Sequence, residues 1–123
     1  MTPIHQDPDR EHRITMEIIV DAYGSEEQAM GWYCYLQDEI PFPFTATCIA
    51  ERAISPLRTG DEVEILGMAP ESECLHEMFV ETRWDRRPLA IPLSQVRPIN
   101  ATDEKTKQAV ADWHYWVARG YEL

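Results

Sequence analysis

Basic side chains are scarce in this sequence: 11 Lys and Arg stand against 22 Asp and Glu in 123 residues, a net charge of −11. Between residues 14 and 51 they are absent altogether, His included. That scarcity argues against nucleic acid as a partner, because phosphate binding draws on Lys and Arg. Long apolar runs are missing too. Nothing approaches the ~20 residues that cross a bilayer, so no membrane association is expected. The opening residues, Met1-Thr-Pro-Ile-His-Gln-Asp-Pro-Asp-Arg10, hold no apolar core of a signal peptide. Cysteine is sparse and odd in number: three, with no CxxC pair. Reduced thiols in a cytoplasmic protein are the simplest expectation.

What the chain does have is apolar material, 44% of its residues, with four Trp, five Tyr and three Phe. This is enough for one domain with a real core. The expected division is a flexible tail over residues 1–12, which are polar and hold Pro3 and Pro8, followed by a single domain over residues 13–123. Ile14, Ile18, Ile19 and Ala22 recur at helical spacing, with Glu17 and Asp21 on the opposite face and Gly24 as the stop. Ser25-Glu-Glu-Gln28 matches a capping box for a second helix. Its apolar stripe is Ala29, Tyr33, Leu36 and Ile40, widened by Met30 and Trp32, and Pro41 ends it. The short connection predicts an antiparallel helix pair.

Strand-like alternation then covers residues 44–50, 62–68, 78–84 and 89–96, with turns between them. A final helix is expected from about Thr102 to Gly120, with Val110, Trp113 and Val117 facing inward. The fold class is therefore α+β: an N-terminal antiparallel helix pair, a small antiparallel β-barrel and a C-terminal helix. The order of turns and strands makes the barrel SH3-like by analogy.

The span from residue 14 to 51 also carries seven carboxylates: Glu17, Asp21, Glu26, Glu27, Asp38, Glu39 and Glu51. A single-sign field of this density repels itself and destabilises a compact state. A bound cation is the plainest way to offset it.

Five strings give the chain a family likeness: Glu17-Ile-Ile-Val-Asp-Ala-Tyr-Gly24, Gly31-Trp-Tyr-Cys-Tyr-Leu-Gln-Asp38, Phe42-Pro-Phe44, Pro92-Leu-Ser-Gln95 and Asp112-Trp-His-Tyr-Trp-Val117. Together they resemble the cyanobacterial calcium-binding protein family, CcbP, from about Arg13 onward. The resemblance implies a Ca²⁺ binder without EF-hands that works through an acidic surface. It also points to Asp38 as a ligand.

Ca²⁺ takes six to eight oxygens, and the sequence has no EF-hand loop to supply them. Ligands must then come from separate elements. Glu27 and Asp38 share a helix face but lie about 16 Å apart along the axis, too far for one ion. Two weak-to-moderate sites are expected, one at Asp38 and Glu39, the other at Glu17, Asp21 and Glu27. A monomer that buffers Ca²⁺ is the leading reading. The alternative is an acidic interaction module that docks a basic protein partner without a specific metal site. An enzyme ranks third. Asp112 and His114 are two apart on a helix and do not face each other, and Cys48, Cys74, His76 and His114 match no zinc spacing.

Overall fold

Five antiparallel strands, β1 (Phe44–Cys48), β2 (Glu62–Met68), β3 (Phe79–Trp84), β4 (Arg87–Pro92) and β5 (Val96–Pro98), run in the order β4-β3-β2-β1-β5, and helices pack against the sheet. The computed structural model describes residues 6–100 and 102–123. The helices are α1 (Pro8–Arg13), α2 (Ser25–Glu39) and α3 (Glu104–Ala118). A π turn, Ile14–Ile18, continues α1.

Alternation sets the strands. Phe44, Ala46 and Cys48 are buried while Thr45 and Thr47 are half-exposed. Val63 and Ile65 point inward between the exposed Glu62, Glu64 and Leu66. The β3–β4 hairpin closes on Asp85 and Arg86, both at positive φ, as a two-residue turn matched to strand twist requires.

The sheet is not closed into a barrel. The expected strand over residues 89–96 is broken by a 3-10 turn at Leu93–Gln95. After it, the short β5 pairs with β1 on the far edge instead of continuing beside β3. β4 and β5 are therefore the two open edges.

The helical start also differs from the expectation. Residues 1–5 of the expected tail lie outside the described residues, but Pro8–Arg13 are helical. Asp7 caps them by accepting a hydrogen bond from the Arg10 amide, and Pro8 sits in the first turn. The helix ends at Ile18, not near Ala22. Asp21 takes a left-handed conformation, φ 59°, which Asp tolerates better than most residues. Gly24 is extended and serves as the N-cap of α2, so it is not a helix stop. No side chain caps α2, and the Ser25 capping box does not form. The expected helix pair, 14–22 against 25–40, becomes a π turn that meets α2 at Gly31.

That meeting is tight. A Cβ at position 31 would run into the Ile18 carbonyl oxygen, so only glycine lets the two segments touch. Beneath the contact, Trp32 is wholly buried. It packs edge-on against Trp113 at 5.1 Å and Trp116 at 5.6 Å between ring centroids. Val110 and Trp113 face the core as expected, but Val117 is 40% exposed and Met30 39%.

A buried carboxylate ties the three helices together. Asp112, on α3, is 0% exposed. It accepts hydrogen bonds from Arg13 Nε and Nη2, at 2.9 and 2.8 Å, and from the Tyr35 hydroxyl at 2.7 Å. Arg10 Nε lies 2.9 Å away. Hydrogen bonding to Asp112 raises the Arg13 pKa, and burial followed by the same carboxylate raises that of Tyr35. A second knot joins Glu11 to the C-terminal end, where Tyr115 and Tyr121 donate to its Oε1 at 2.7 and 2.8 Å. Burial pushes the Glu11 carboxyl up. Hydrogen bonds from the two tyrosines and Gln6, with the attraction of Arg119, outweigh it and leave the pKa below its ordinary value.

These contacts predict two outcomes. Gly31→Ala forces backbone atoms apart and should lower stability by roughly 1–3 kcal/mol, read from urea denaturation. Glu11 is stabilising in its charged form, so its contribution is present above the ordinary carboxylate pKa and is lost as pH falls through the depressed one. Glu11→Gln should therefore be less stable than the parent at neutral pH, and the gap should close in acid. A gap that stays constant from pH 7 into the acid range would show that Glu11 carries no such linkage.

Candidate metal centre

The acids of residues 14–51 are outside the core, and their backbone settings differ. Asp38 is exposed and Glu39 half-buried in the last turn of α2. That turn contains no basic residue. A helix C-terminus presents unpaired carbonyls and the negative end of its dipole, where cations are favoured and carboxylates are not. Asp38 and Glu39 thus add charge to an end that is already negative. A hard cation with oxygen preference relieves both at once.

Glu17, Asp21 and Glu27 come from three pieces of backbone. Glu17 sits on the π turn, Asp21 in the left-handed bend after it, and Glu27 in the first turn of α2. All three are exposed. The break at Asp21 means that Glu17 and Asp21 do not share a continuous helix face. Glu27 has a partner of its own: its Oε2 accepts from the Tyr23 amide at 3.2 Å. That contact draws Glu27 toward the bend that carries Asp21. Glu17, Asp21, Asp38 and Glu39 have no hydrogen bond or ion pair to their carboxylates among the described residues. Their charge is uncompensated by protein.

Among the described residues, no three His, Cys, Asp or Glu side chains converge as a ready metal cluster. The donors fit Ca²⁺ in kind, being hard carboxylate oxygens. Their number at either place is below the six to eight that the ion takes, so backbone carbonyls and water would have to complete the shell. The carbonyls at the end of α2 are candidate donors that residue-type reasoning does not reach. A carbonyl carries no sequence signature, and only the helix ending just before Pro41 hints at them.

The other constellations separate. Asp112 is held by Arg13, Arg10 and Tyr35. His114 Nε2 instead lies 2.8 Å from the Val96 carbonyl oxygen. The two side chains serve different contacts and form no acid–base pair. Cys48 donates its thiol to the Ala50 carbonyl oxygen, and Cys74 lies against Phe79. All three cysteines are free.

A sequence profile of the CcbP family, described as calcium binding, matches residues 12–117. This chain belongs to the CcbP family. Its likeness to solved CcbP-type structures extends over the full length. A crystal structure of Anabaena CcbP is 44% identical, with all of both chains covered and a TM-score of 0.86. A calcium-binding protein in its calcium-binding form is likewise 44% identical over all of both chains, with a TM-score of 0.84. No curated protein matches this CcbP-family chain by sequence. The family assignment agrees with the acidic character of residues 14–51 and points away from catalysis.

Proposed function

We propose that this protein binds Ca²⁺ as a buffer, through carboxylates on the outer faces of its helical layer. The observation that carries the reading is the full-length similarity to a protein of the same fold in its calcium-binding form. The uncompensated acids supply the chemistry. The stronger site is the end of α2, where Asp38 and Glu39 meet the helix carbonyls. A weaker one draws on Glu17, Asp21 and Glu27 around the Asp21 bend. Both lie on surfaces whose opposite sides are committed to the core, so neutralising them does not pry packed elements apart. The five Met residues, at positions 1, 16, 30, 68 and 78, are scattered, unlike the Met-rich groove that an opening sensor exposes. A cytoplasmic monomer with reduced thiols remains the setting for this activity. Docking of a basic protein partner on the same acidic surface is the competing use.

Ca²⁺ should raise the melting temperature by mass action, with about 2.7 kcal/mol of added stability at one hundred times the Kd. NaCl of equal ionic strength should do much less, because screening acts on any charged face alike. Equal shifts from the two salts would leave a diffuse acidic face suited to a basic partner and no specific site. Calorimetry on Asp38→Asn separates the sites. Loss of one charged ligand should weaken the tightest Ca²⁺ binding by about ten-fold or more, with the melting curve of the Ca²⁺-free protein unchanged. An isotherm identical to the parent's would remove Asp38 from the ligand set.

A further inference from the structure

Away from the acidic face, a cleft of about 770 Å³ lies between α3, β5 and the N-terminal end of α1. This is within the size range of small-molecule sites, about 300–1,000 Å³. Its charge is opposite to that of the chain as a whole. Arg97 on β5, Lys107 on α3 and Arg10 on α1 all line it, in a protein with only 11 basic residues and a net charge of −11. Asp7 is the one carboxylate among its lining residues. That side chain already accepts the Arg10 amide as the cap of α1.

The floor is apolar. Lys107, Ala111, His114 and Ala118 are spaced along one face of α3, so a single helix presents a cation, a small aliphatic surface and an imidazole. Lys107 Nζ is occupied by the Asn100 carbonyl at 2.6 Å and by Glu104 at 3.7 Å. Arg10 turns its Nε to Asp112. Arg97 is different. It is exposed, and its guanidinium has no hydrogen bond or ion pair among the described residues. It stands near His114, whose ring is held at Nε2 by the Val96 carbonyl. Burial, and to a lesser extent the charge of Arg97, keeps that ring below its ordinary pKa. An unpaired planar fork of five donors beside an apolar strip is suited to a carboxylate or phosphate carried on a compact apolar body.

We propose that this cleft binds a small organic anion of that kind, with Arg97 as the pairing cation and the Ala111–Ala118 face of α3 seating the apolar part. The site is separate from the Ca²⁺-binding surface and opposite to it in charge.

Phenyl phosphate is a suitable probe, with inorganic phosphate and phenol as its two halves. Titrations followed by amide and His-ring NMR are done at fixed ionic strength with a Ca²⁺ chelator present, so the outcome is independent of the Ca²⁺ sites. Shifts should centre on Arg97, Ala111 and His114, with phenyl phosphate binding more tightly than either half. Arg97→Gln, at an exposed position that leaves folding intact, should weaken phenyl phosphate by about ten-fold or more. Absence of shifts in the cleft, equal binding of phenol, or an Arg97→Gln affinity equal to the parent's would overturn the proposal. So would concentration-dependent dimerisation abolished by Arg97→Gln, which would assign the cleft to the acidic face of a second copy.

Discussion

A fully buried carboxylate is the constraint on which the arrangement of helices depends. Asp112 cannot sit inside the protein uncompensated, since an unpaired buried charge costs several kcal/mol. Its compensation comes from outside its own helix: Arg13 and Arg10 from the N-terminal segment, and the hydroxyl of Tyr35 from α2. Three elements distant in sequence are thereby brought to one point. The tryptophan cluster adds apolar burial nearby. The forked contact between Arg13 and Asp112 is directional, so it fixes how α1 lies on α3.

This contact also shapes the outer field. Two of the chain's few basic residues are turned toward the interior, where they meet one acid. The exposed carboxylates around the Asp21 bend and at the end of α2 are left without cationic neighbours. A protein that paired Arg10 and Arg13 with Glu17 or Asp38 would have a quieter surface and less attraction for a divalent ion. Structural and functional electrostatics draw on the same small supply of positive charge.

The strands are the most legible part of the sequence, because alternation is local: residues 62–68 read as a strand and form β2 over that span. The closure of the sheet is not legible. It turns on the 3-10 turn at Leu93–Gln95, which moves β5 to the other edge, and no periodicity marks such a step. The helical start is obscured for a related reason. Ile14, Ile18, Ile19 and Ala22 have helical spacing, but Asp7-Pro8 begins the helix, and the left-handed Asp21 breaks the spacing before it reaches Ala22. Asp112 is visible only as part of a distinctive string, since its arginine partners lie in a segment that reads as a tail and at its border, and Tyr35 lies far off in sequence on α2. For the candidate site, the surplus of acids is plain from composition and the family from its strings. How the carboxylates are disposed depends on the Asp21 bend and on where α2 ends, which side-chain identity does not reveal.

The contact between Gly31 and the Ile18 carbonyl divides the chain into positions with very different freedom to vary. Position 31 admits no side chain without moving backbone. The exposed acids on either side of it touch little and can be exchanged one at a time. A scaffold of this kind lets surface charge be retuned, by descent or by design, while the geometry beneath stays in place. One glycine thus holds a platform whose outer charge can be adjusted in small steps.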